Sequence, residues 1–383
     1  IQSLVDQGSI PGAVTLIAHN GEIVHHQSIG YSDIKKGTLL QKESIFRIMS
    51  MTKPVTGVAV MILYDRGLFD LDDPVANYLP EFSTPSVLVN GSLSPARHSI
   101  TIRQLLTNTA GLLYPFPVTE PVANLYQQEA LYGTWEVMIS GITLEQYVKK
   151  IATLPLAYEP GSQWRYSAST TVLARLVEVL SQQRFSDFLK DEIFYPLKMN
   201  DTSYYLEDKK LSRLSTLYSI ADDGTLTEYS QPHNSPVSID FGDTGLLSTA
   251  SDYFRFCQML LNEGELNGVR LLRKSTVRLM RNNHLPPSFG PRPLSSLDHP
   301  FTKRDGMGFG FTVAVIADLV KAGLPGSEGE YSWGGGASTD FWIDPKNNLI
   351  GITMTQVMGS AKNSLRPVVQ KEVYSALNDD VVQ

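Results

Sequence analysis

Segments typical of β-strands lie at the two ends of this chain, and segments typical of helices lie between them. Near the start, two β-rich runs are joined through Asn20-Gly21, a dipeptide that favours a tight hairpin turn. In the last third, turn residues separate four short runs of strand formers: "GFGFTVAVIA", "GEYSWGGGAS", "DFWIDP" and "NLIGITMTQ". This distribution predicts an α+β fold in which both chain termini contribute strands to one antiparallel sheet, flanked by helices.

The central region has the pattern of amphipathic helices. Apolar residues recur at helical spacing in "TLEQYVKKIA", "STTVLARLVEVLSQQ" and "SDYFRFCQMLLNEGE". We therefore expect residues 1–80 and 210–383 to form one discontinuous sheet domain, and residues 81–209 to form an inserted, mostly helical domain, with the active site in the cleft between them. Residues 83–99 and 284–305 are rich in Pro, Ser and Gly, which predicts long surface loops.

The composition argues against several classes of protein. The chain has 383 residues, of which 42% are hydrophobic, so it can bury a large core. Its net charge is -7 and it has no basic stripe, which argues against a nucleic-acid partner. Cys257 is the only cysteine, so no internal disulfide can form, and its place in an apolar helical run predicts a buried, inert thiol.

No apolar run approaches the length of a transmembrane helix, so we expect no membrane span. The absence of a visible export segment favours the cytoplasm, but the chain begins at Ile1 rather than at a methionine, so an upstream signal stays open. The seven histidines are scattered and no H-E-x-x-H occurs, which argues against a zinc peptidase. The oligomeric state stays open.

The stretch "RIMSMTKPVTGVAVMILYDRG" contains a candidate nucleophile. Ser50 and Lys53 lie three residues apart at the predicted start of an apolar helix, so the Lys53 amine can reach the Ser50 hydroxyl. A serine is a poor nucleophile until a neighbouring base accepts its proton, and a helix N-terminus favours developing negative charge. The alternative is that Ser50 only caps the helix. A second pair with this spacing, Ser32 and Lys35, falls in a polar segment that predicts a solvated turn.

Two further segments have features of a reaction site. Tyr166, in "EPGSQWRYSAST", follows a Pro-Gly turn and precedes a predicted helix, and it can act as a general base or acid if a cation such as Lys53 lies beside it. An ordinary buried tyrosine is the alternative. In "YSWGGGASTDFWIDP", three consecutive glycines favour either the close approach of a substrate to the strand or a bulge.

The segment "LLYPFPVTEPVANLYQQEALYGTW" is rich in aromatic residues and admits two interpretations. Its larger rings either line an acyl pocket or fill the core; they are Tyr114, Phe116, Tyr126 and Trp135. The sequence alone does not choose between these interpretations.

Together these segments resemble the serine β-lactamase-like superfamily, the fold of class C β-lactamases, DD-peptidases and family VIII carboxylesterases. The motif order is Ser50-Met51-Thr52-Lys53, then Tyr166-Ser167-Ala168, then Trp333-Gly334-Gly335. Flanking runs such as "LLTNTAGL", "PGSQWRYS" and "GLLSTASDYFRF" extend the similarity from about residue 10 to residue 370. No G-x-S-x-G surrounds a serine, so the nucleophile elbow of α/β-hydrolases is not supported.

The resemblance implies a mechanism and a set of site residues. Ser50 would be acylated, and Lys53 and Tyr166 would act as the general base and acid pair. The backbone N–H groups of Ser50 and Gly336 would form the oxyanion hole, the latter by its match to the residue after Lys-Thr-Gly. Such a mechanism uses no metal and no organic cofactor.

Two departures from the β-lactamase pattern favour esters as substrates. Trp333 stands where such enzymes carry the lysine of Lys-Thr-Gly, so it offers an apolar wall in place of the charge that holds a β-lactam carboxylate. Ala168 stands where class C enzymes carry the asparagine of Tyr-x-Asn. Both departures point to family VIII carboxylesterases, and Trp333, Gly334 and Gly335 are then expected to contact the substrate.

The resulting prediction is a serine carboxylesterase that hydrolyses short- to medium-chain carboxylic esters, with a small-molecule ester as its partner. A β-lactamase, a D-amino-acid peptidase and an acyltransferase share the acyl-enzyme chemistry and stay open, as does an acylatable ligand sensor. The joint presence of Ser50, Lys53 and Tyr166 argues against a purely structural protein. The natural ester and the acyl acceptor stay open.

Overall fold

Strands from both ends of the chain pair in one antiparallel sheet in the computed structural model, which describes residues 1–89, 91–114, 121–129, 135–229, 237–295, 302–359 and 364–380. The strands of this sheet are β1 (Gly12–His19), β2 (Glu22–Asp33), β3 (Thr38–Leu39), β4 (Met307–Phe309), β5 (Ala314–Ile316), β6 (Tyr331–Gly335), β7 (Thr339–Asp344) and β8 (Leu349–Met354). Their order across the sheet is β4-β5-β6-β7-β8-β1-β2-β3. Because β8 pairs with β1, the predicted α+β fold with a sheet built from both termini is confirmed.

The N-terminal hairpin forms where the sequence predicts it. The turn residues Asn20 and Gly21 have φ angles of 53° and 83°, the left-handed values that a two-residue primed turn requires. His19 and Glu22 pair on either side of the turn, and β1 continues into the centre of the sheet.

The predicted strand over "GFGFTVAVIA" is wrong in one respect, because the segment folds as two strands with a turn between them. Gly310 N–H donates to the Val313 carbonyl at 2.8 Å and closes this turn. A side chain at Gly310 would place its Cβ 2.2 Å from the Met280 carbonyl oxygen, so only glycine lets the turn approach the neighbouring helix. The unbroken apolar run concealed the turn from sequence analysis.

Most helices lie in the middle of the described chain, and a short one and a long one lie at its N-terminal and C-terminal ends. They are α1 (Gln2–Asp6), α2 (Thr52–Asp65), α3 (Ile102–Leu106), α4 (Pro121–Gln128), α5 (Trp135–Met138), α6 (Leu144–Ala152), α7 (Ser169–Ser181), α8 (Phe185–Leu189), α9 (Ala250–Leu261), α10 (Lys274–Arg281), α11 (Leu319–Ala322) and α12 (Arg366–Asp380). The three central helices that the apolar spacing predicts are α6, α7 and α9. Threonines cap two of them, since Thr143 accepts from Gln146 N–H and Thr249 from Asp252 N–H. No helix in the described ranges is long and apolar enough to cross a membrane.

Helices pack against both faces of the sheet. Phe341 of β7 contacts Tyr253 of α9, with ring centroids 5.2 Å apart. Its neighbour Trp342 belongs to a separate buried cluster with Tyr374 of α12. Because successive side chains of a strand point to opposite faces, α9 and α12 cover the two sides of the sheet.

The predicted loop over residues 83–99 is wrong, because Ser86–Val89 and Ser92–Pro95 pair as a small hairpin. The backbone of Leu156 hydrogen-bonds to one of these strands. Its carbonyl accepts from Leu88 N–H at 3.0 Å, and its N–H donates to the Ser86 carbonyl at 2.7 Å. The short strands were hidden because their composition is typical of turns.

The other predicted loop, residues 284–305, contains a short 3₁₀ turn at Pro287–Phe289, and its residues 296–301 lie outside the described residues.

One hydrophobic core serves both the sheet and the helical region. Its members include Val58 of α2, Leu173 of α7 and Phe341 of β7, each fully buried. Cys257 of α9 is also fully buried, and burial raises the pKa of its thiol well above the usual value, which fits an inert side chain. The predicted division into domains at residues 80 and 210 stays a prediction.

Buried acidic side chains lie on the face of the sheet that α12 covers. Glu330 accepts hydrogen bonds from Arg366 at 2.7 Å and from Tyr374 at 2.8 Å. Asp340 of β7 accepts from Ser364 at 2.9 Å. Burial raises the pKa of both Glu330 and Asp340 to about 7, against the opposing pull of the Arg366 guanidinium. We refer to Glu330 and Asp340 as the acid cluster.

The raised pKa of Asp340 predicts a pH-dependent contribution to stability. A carboxyl whose pKa is higher in the folded protein binds its proton more tightly there, so its contribution is complete below the unfolded value of 3.8 and is lost as pH rises through about 7. Asp340→Asn removes this titration. We therefore expect the free energy of unfolding of the wild type, relative to that of the variant, to fall between pH 4 and pH 7, as measured by urea denaturation.

The exposed carboxylate Asp70 supplies the control, since Asp70→Asn should leave the slope of stability against pH unchanged. A constant difference between wild type and Asp340→Asn across the pH range would contradict the assignment.

Candidate active site

Ser50 lies in a tight turn that leads directly into α2. The 3₁₀ turn spans Met49–Met51, and α2 begins at Thr52, which agrees with the predicted helix start. Met49 has a φ of 46°, a left-handed value that non-glycine residues rarely adopt. Thr52 Oγ1 donates to the Met49 carbonyl at 2.7 Å and accepts from Leu246 N–H at 3.3 Å, so the turn is held from both sides. Backbone strain of this kind concentrates next to functional residues.

The structure brings the three predicted reactive side chains together. Tyr166 Oη donates to Ser50 Oγ at 2.7 Å, and Lys53 Nζ donates to the same oxygen at 3.4 Å. Ser50 and Tyr166 are half-buried, whereas Lys53 is only 1% exposed, more deeply buried than the sequence suggests. A serine hydroxyl therefore lies between a phenol and an ammonium group, and Tyr166 can accept its proton once the phenol has lost its own.

The Lys53 ammonium group has partners besides Ser50. Its Nζ donates to the Asp243 carbonyl oxygen at 2.8 Å. It also lies 4.6 Å from the centroid of the Tyr166 ring and 5.3 Å from that of the Tyr114 ring, within the range of cation–π attraction. These contacts fix the charge beside the two hydroxyl oxygens rather than in solvent.

Strand β6 lies against the turn that carries Ser50. A Cβ at Gly335 would lie 2.3 Å from the Ile48 carbonyl oxygen, so glycine is required there for the strand to approach the turn. A Cβ at Gly334 would lie 2.6 Å from Asp340 Oδ1 on the opposite face. At Gly336 nothing lies within 4 Å of the Cβ position. Only the last of the three glycines therefore borders open space, and close packing within the protein accounts for the first two.

Trp333 packs among aromatic rings beside the reactive side chains. Its ring centroid is 5.6 Å from that of Tyr166 and 5.5 Å from that of Phe309. Trp164, at 5.3 Å from Phe309, continues the aromatic row. Because Trp333 is 5% exposed, little of its ring is available as a wall, and its main contacts hold the Tyr166 ring in place.

Two residues at the site were not identified from the sequence as site residues. Asp243 is 3% exposed and accepts a hydrogen bond from Tyr114 through Oδ2. The Tyr114 ring lies 5.1 Å from that of Tyr166, so it borders the reactive groups as well as the core against which it packs. Burial, and then the charge of Asp243, raises the pKa of Tyr114 well above its usual value. Tyr114 belongs to the aromatic segment whose role, pocket lining or core, the sequence alone does not decide. No sequence motif indicated Asp243.

The other aromatic residues of that segment have different positions. Tyr126 is 1% exposed and packs in a small core cluster with Leu113 and Val122. Phe116 and the side chain of Trp135 lie outside the described residues.

The second Ser-x-x-Lys pair is remote from the reactive groups. Ser32 lies at the end of β2 and donates to the Thr38 carbonyl at 3.3 Å. The expected solvated turn is wrong for Ser32, which is 8% exposed, although Lys35 is exposed. The described ranges contain no group of three or more His, Cys, Asp or Glu residues that could hold a metal ion.

The chain is similar to known proteins over nearly its whole length. The family profile described as Beta-lactamase matches residues 1–374. Protein Rv1367c of Mycobacterium tuberculosis is 34% identical over 366 residues, which span 93% of this chain and 88% of that protein. Esterase EstB of Burkholderia gladioli is 26% identical over 369 residues, 90% of this chain and 85% of EstB.

Among solved structures, EstCE1, described as a hydrolase with promiscuous acyltransferase activity, gives a TM-score of 0.80. It is 26% identical to this chain, and the match covers 97% of this chain and 95% of EstCE1.

Gly335, the last residue of β6, and Gly336, which follows it, give a test of this packing with a matched pair of variants. Gly335→Ala should force β6 away from the Ile48 carbonyl and lower the free energy of unfolding by about 1–3 kcal/mol, as overpacking typically does. Gly336→Ala adds the same methyl group to open space and should change stability by less than about 0.5 kcal/mol. Thermal and chemical denaturation of both variants measure the difference. Equal losses in the two variants would contradict the packing described.

Proposed function

The chain belongs to the beta-lactamase family, and from that premise we propose that it is a serine carboxylesterase that hydrolyses short- to medium-chain carboxylic esters. The observation that carries the proposal is the hydrogen bonding of Ser50 Oγ by both Tyr166 Oη and Lys53 Nζ. The similarity to an esterase, EstB, and to a hydrolase, EstCE1, supports it.

In the proposed acylation step, Tyr166 first loses its own proton to solvent and reacts as the phenolate. Ser50 Oγ then attacks the ester carbonyl, and its proton passes to Tyr166 Oη. Both hydroxyl groups can rotate, so the 2.7 Å contact can serve transfer in either direction. The Lys53 ammonium group stabilises the negative charge that forms on either oxygen, because it lies 3.4 Å from Ser50 and over the Tyr166 ring. Tyr166 then protonates the departing alcohol, which leaves the acyl group on Ser50.

The oxyanion of the tetrahedral intermediate would lie between the backbone N–H groups of Ser50 and Gly336. Two features support this placement: Gly336 borders open space, and Gly335 keeps its strand against the Ser50 turn. Removal of one such donor costs about 3–4 kcal/mol of transition-state stabilisation in well-studied hydrolases. In the second half of the reaction, water attacks the acyl carbon in place of the alcohol and gives its proton to Tyr166. The acyl–Ser50 bond then breaks, Tyr166 returns the proton to Ser50 Oγ, and the acid is released.

The residues around Ser50 favour a neutral ester over a β-lactam. The apolar residue Trp333 lies in β6, at the position where β-lactamases of similar sequence carry the lysine of Lys-Thr-Gly. Ala168, 3% exposed, stands where class C enzymes carry an asparagine. The site therefore lacks two groups that bind the carboxylate and the side chain of a β-lactam. Slow β-lactam turnover is the expected consequence.

An acyltransferase is the second candidate, and the name of EstCE1, a hydrolase with promiscuous acyltransferase activity, favours it specifically. The acyl-enzyme is the same in both reactions, and only the acceptor differs. Adding a primary alcohol to the assay separates the two, because transfer produces a new ester and hydrolysis produces only the acid.

Ser50→Ala tests the proposed nucleophile. We expect hydrolysis of p-nitrophenyl acetate, butyrate and octanoate to fall by roughly 10³-fold or more, because the attacking oxygen is gone. The matched control is Ser32→Ala, which alters the other Ser-x-x-Lys pair and should retain activity. Steady-state release of p-nitrophenol measures both, with nitrocefin hydrolysis run alongside.

Retained ester hydrolysis in Ser50→Ala would rule out Ser50 as the nucleophile. A single stoichiometric burst of p-nitrophenol from the wild type, with no steady-state release, would indicate an acylatable ligand sensor instead of an esterase. Nitrocefin turnover faster than ester turnover would favour a β-lactamase.

Tyr166→Phe tests the proposed proton carrier. The variant keeps the ring contacts with Trp333 and Tyr114 and loses only the hydroxyl, so we expect kcat to fall by about 10²–10⁴-fold with little change in folding. Tyr195→Phe removes the hydroxyl of a tyrosine that is 80% exposed and is the control. An unchanged kcat in Tyr166→Phe would assign the proton transfer to Lys53 alone.

A further inference from the structure

Asp243 places a buried carboxylate beside the proposed catalytic groups, although the mechanism above does not use it. The residue is 3% exposed. Its Oδ2 accepts from Tyr114 Oη, whereas its Oδ1 is buried and has no hydrogen-bond partner among the described residues. A buried carboxylate is costly unless a nearby charge or hydrogen bonds compensate it, so its retention here needs a reason.

The position of Asp243 connects it to both proton-carrying side chains. Its backbone carbonyl accepts from Lys53 Nζ at 2.8 Å. Its side-chain partner Tyr114 lies 5.1 Å from the Tyr166 ring and 5.3 Å from Lys53 Nζ, measured to ring centroids. The carboxylate is therefore one hydrogen bond away from a ring that packs on both Tyr166 and Lys53.

The other polar groups around Asp243 do not neutralise it. Tyr147 of α6 and Tyr204 face the same region, and burial raises the pKa of each well above its usual value. The charge of Asp243 adds to the effect at Tyr147, and the charges of Asp240 and then Asp243 add to it at Tyr204. Both are therefore neutral phenols. Arg184 is occupied by Asp240, with Nε 2.7 Å from its carboxylate. Lys53, which donates to the Asp243 backbone carbonyl at 2.8 Å, is the cation whose contact with this residue the structure shows.

We propose that Asp243 is a positioning residue whose negative charge sets the protonation of the Lys53–Tyr166 pair. A buried anion favours the protonated form of every group around it, because losing a proton there brings like charges together. The Asp243 carboxylate attracts the Lys53 ammonium group and repels negative charge that develops on Tyr166 or Ser50. The inference rests on the proposed function, since it concerns the acylation of Ser50.

Asp243→Asn tests the proposal because it removes the charge and keeps an oxygen that can accept from Tyr114. Two rates are measured across pH: kcat/KM for p-nitrophenyl butyrate, and the rate of Ser50 labelling by a fluorophosphonate. We expect both limbs of each profile to move to lower pH by about one unit, because each nearby group loses its proton more easily once the anion is gone. A purely structural role would lower the rates and leave the limbs in place, and that result would overturn the proposal.

Tyr114→Phe is the matched control, because it removes the hydrogen bond to Asp243 and keeps the charge. Its limbs should not move to lower pH. If they move as far as those of Asp243→Asn, the charge is not the cause and the proposal is wrong. Asp243→Ser, a smaller neutral variant, repeats the test if circular dichroism finds Asp243→Asn unfolded.

The two assays separate this proposal from the proposed function. A wild type that hydrolyses no ester and still labels at Ser50 would refute the esterase, while the labelling profiles continue to test Asp243. Identical labelling profiles for wild type and Asp243→Asn, with ester hydrolysis present, would refute the role of Asp243 and leave the esterase intact.

Discussion

Burial of the Lys53 ammonium group is the constraint around which this site is arranged. The side chain is 1% exposed, and a buried cation is stable only when hydrogen bonds and a balancing charge surround it. The Asp243 carbonyl and the Ser50 hydroxyl accept from its Nζ, and the rings of Tyr114 and Tyr166 lie beside it. These partners come from segments far apart in sequence, so the buried cation is stable only after those segments have folded together. The contacts that stabilise Lys53 are therefore the same contacts that bring the reactive groups together.

How much of the site is visible in the sequence depends on how local its contacts are. Ser50 and Lys53 are three residues apart at a helix start, so spacing alone predicts their proximity. Tyr166 is 116 residues from Ser50, and only the order of motifs, through the resemblance, connects them. Tyr114 and Asp243 are 129 residues apart and belong to no motif, so their contact could not be foreseen.

The fold follows the same rule. Turn residues and runs of strand formers predicted the hairpin at Asn20 and the sheet strands, because these signals are local. The hairpin of Ser86–Val89 with Ser92–Pro95 escaped notice because Leu156, some sixty residues away, supplies part of its hydrogen bonding. Likewise, the turn at Gly310 depends on a close approach to Met280, which no window of sequence contains.

Two of the three glycines after Trp333 are required, for different reasons, and the difference links the two faces of the sheet. Gly334 makes room for Asp340 of the acid cluster on the face that α12 covers, whereas Gly335 makes room for the Ile48 carbonyl on the face of Ser50. Gly336, which follows them, borders open space. Because Gly336 follows directly on this strand, the direction of its N–H, one of the two donors proposed for the oxyanion, depends on packing on both faces of the sheet at once.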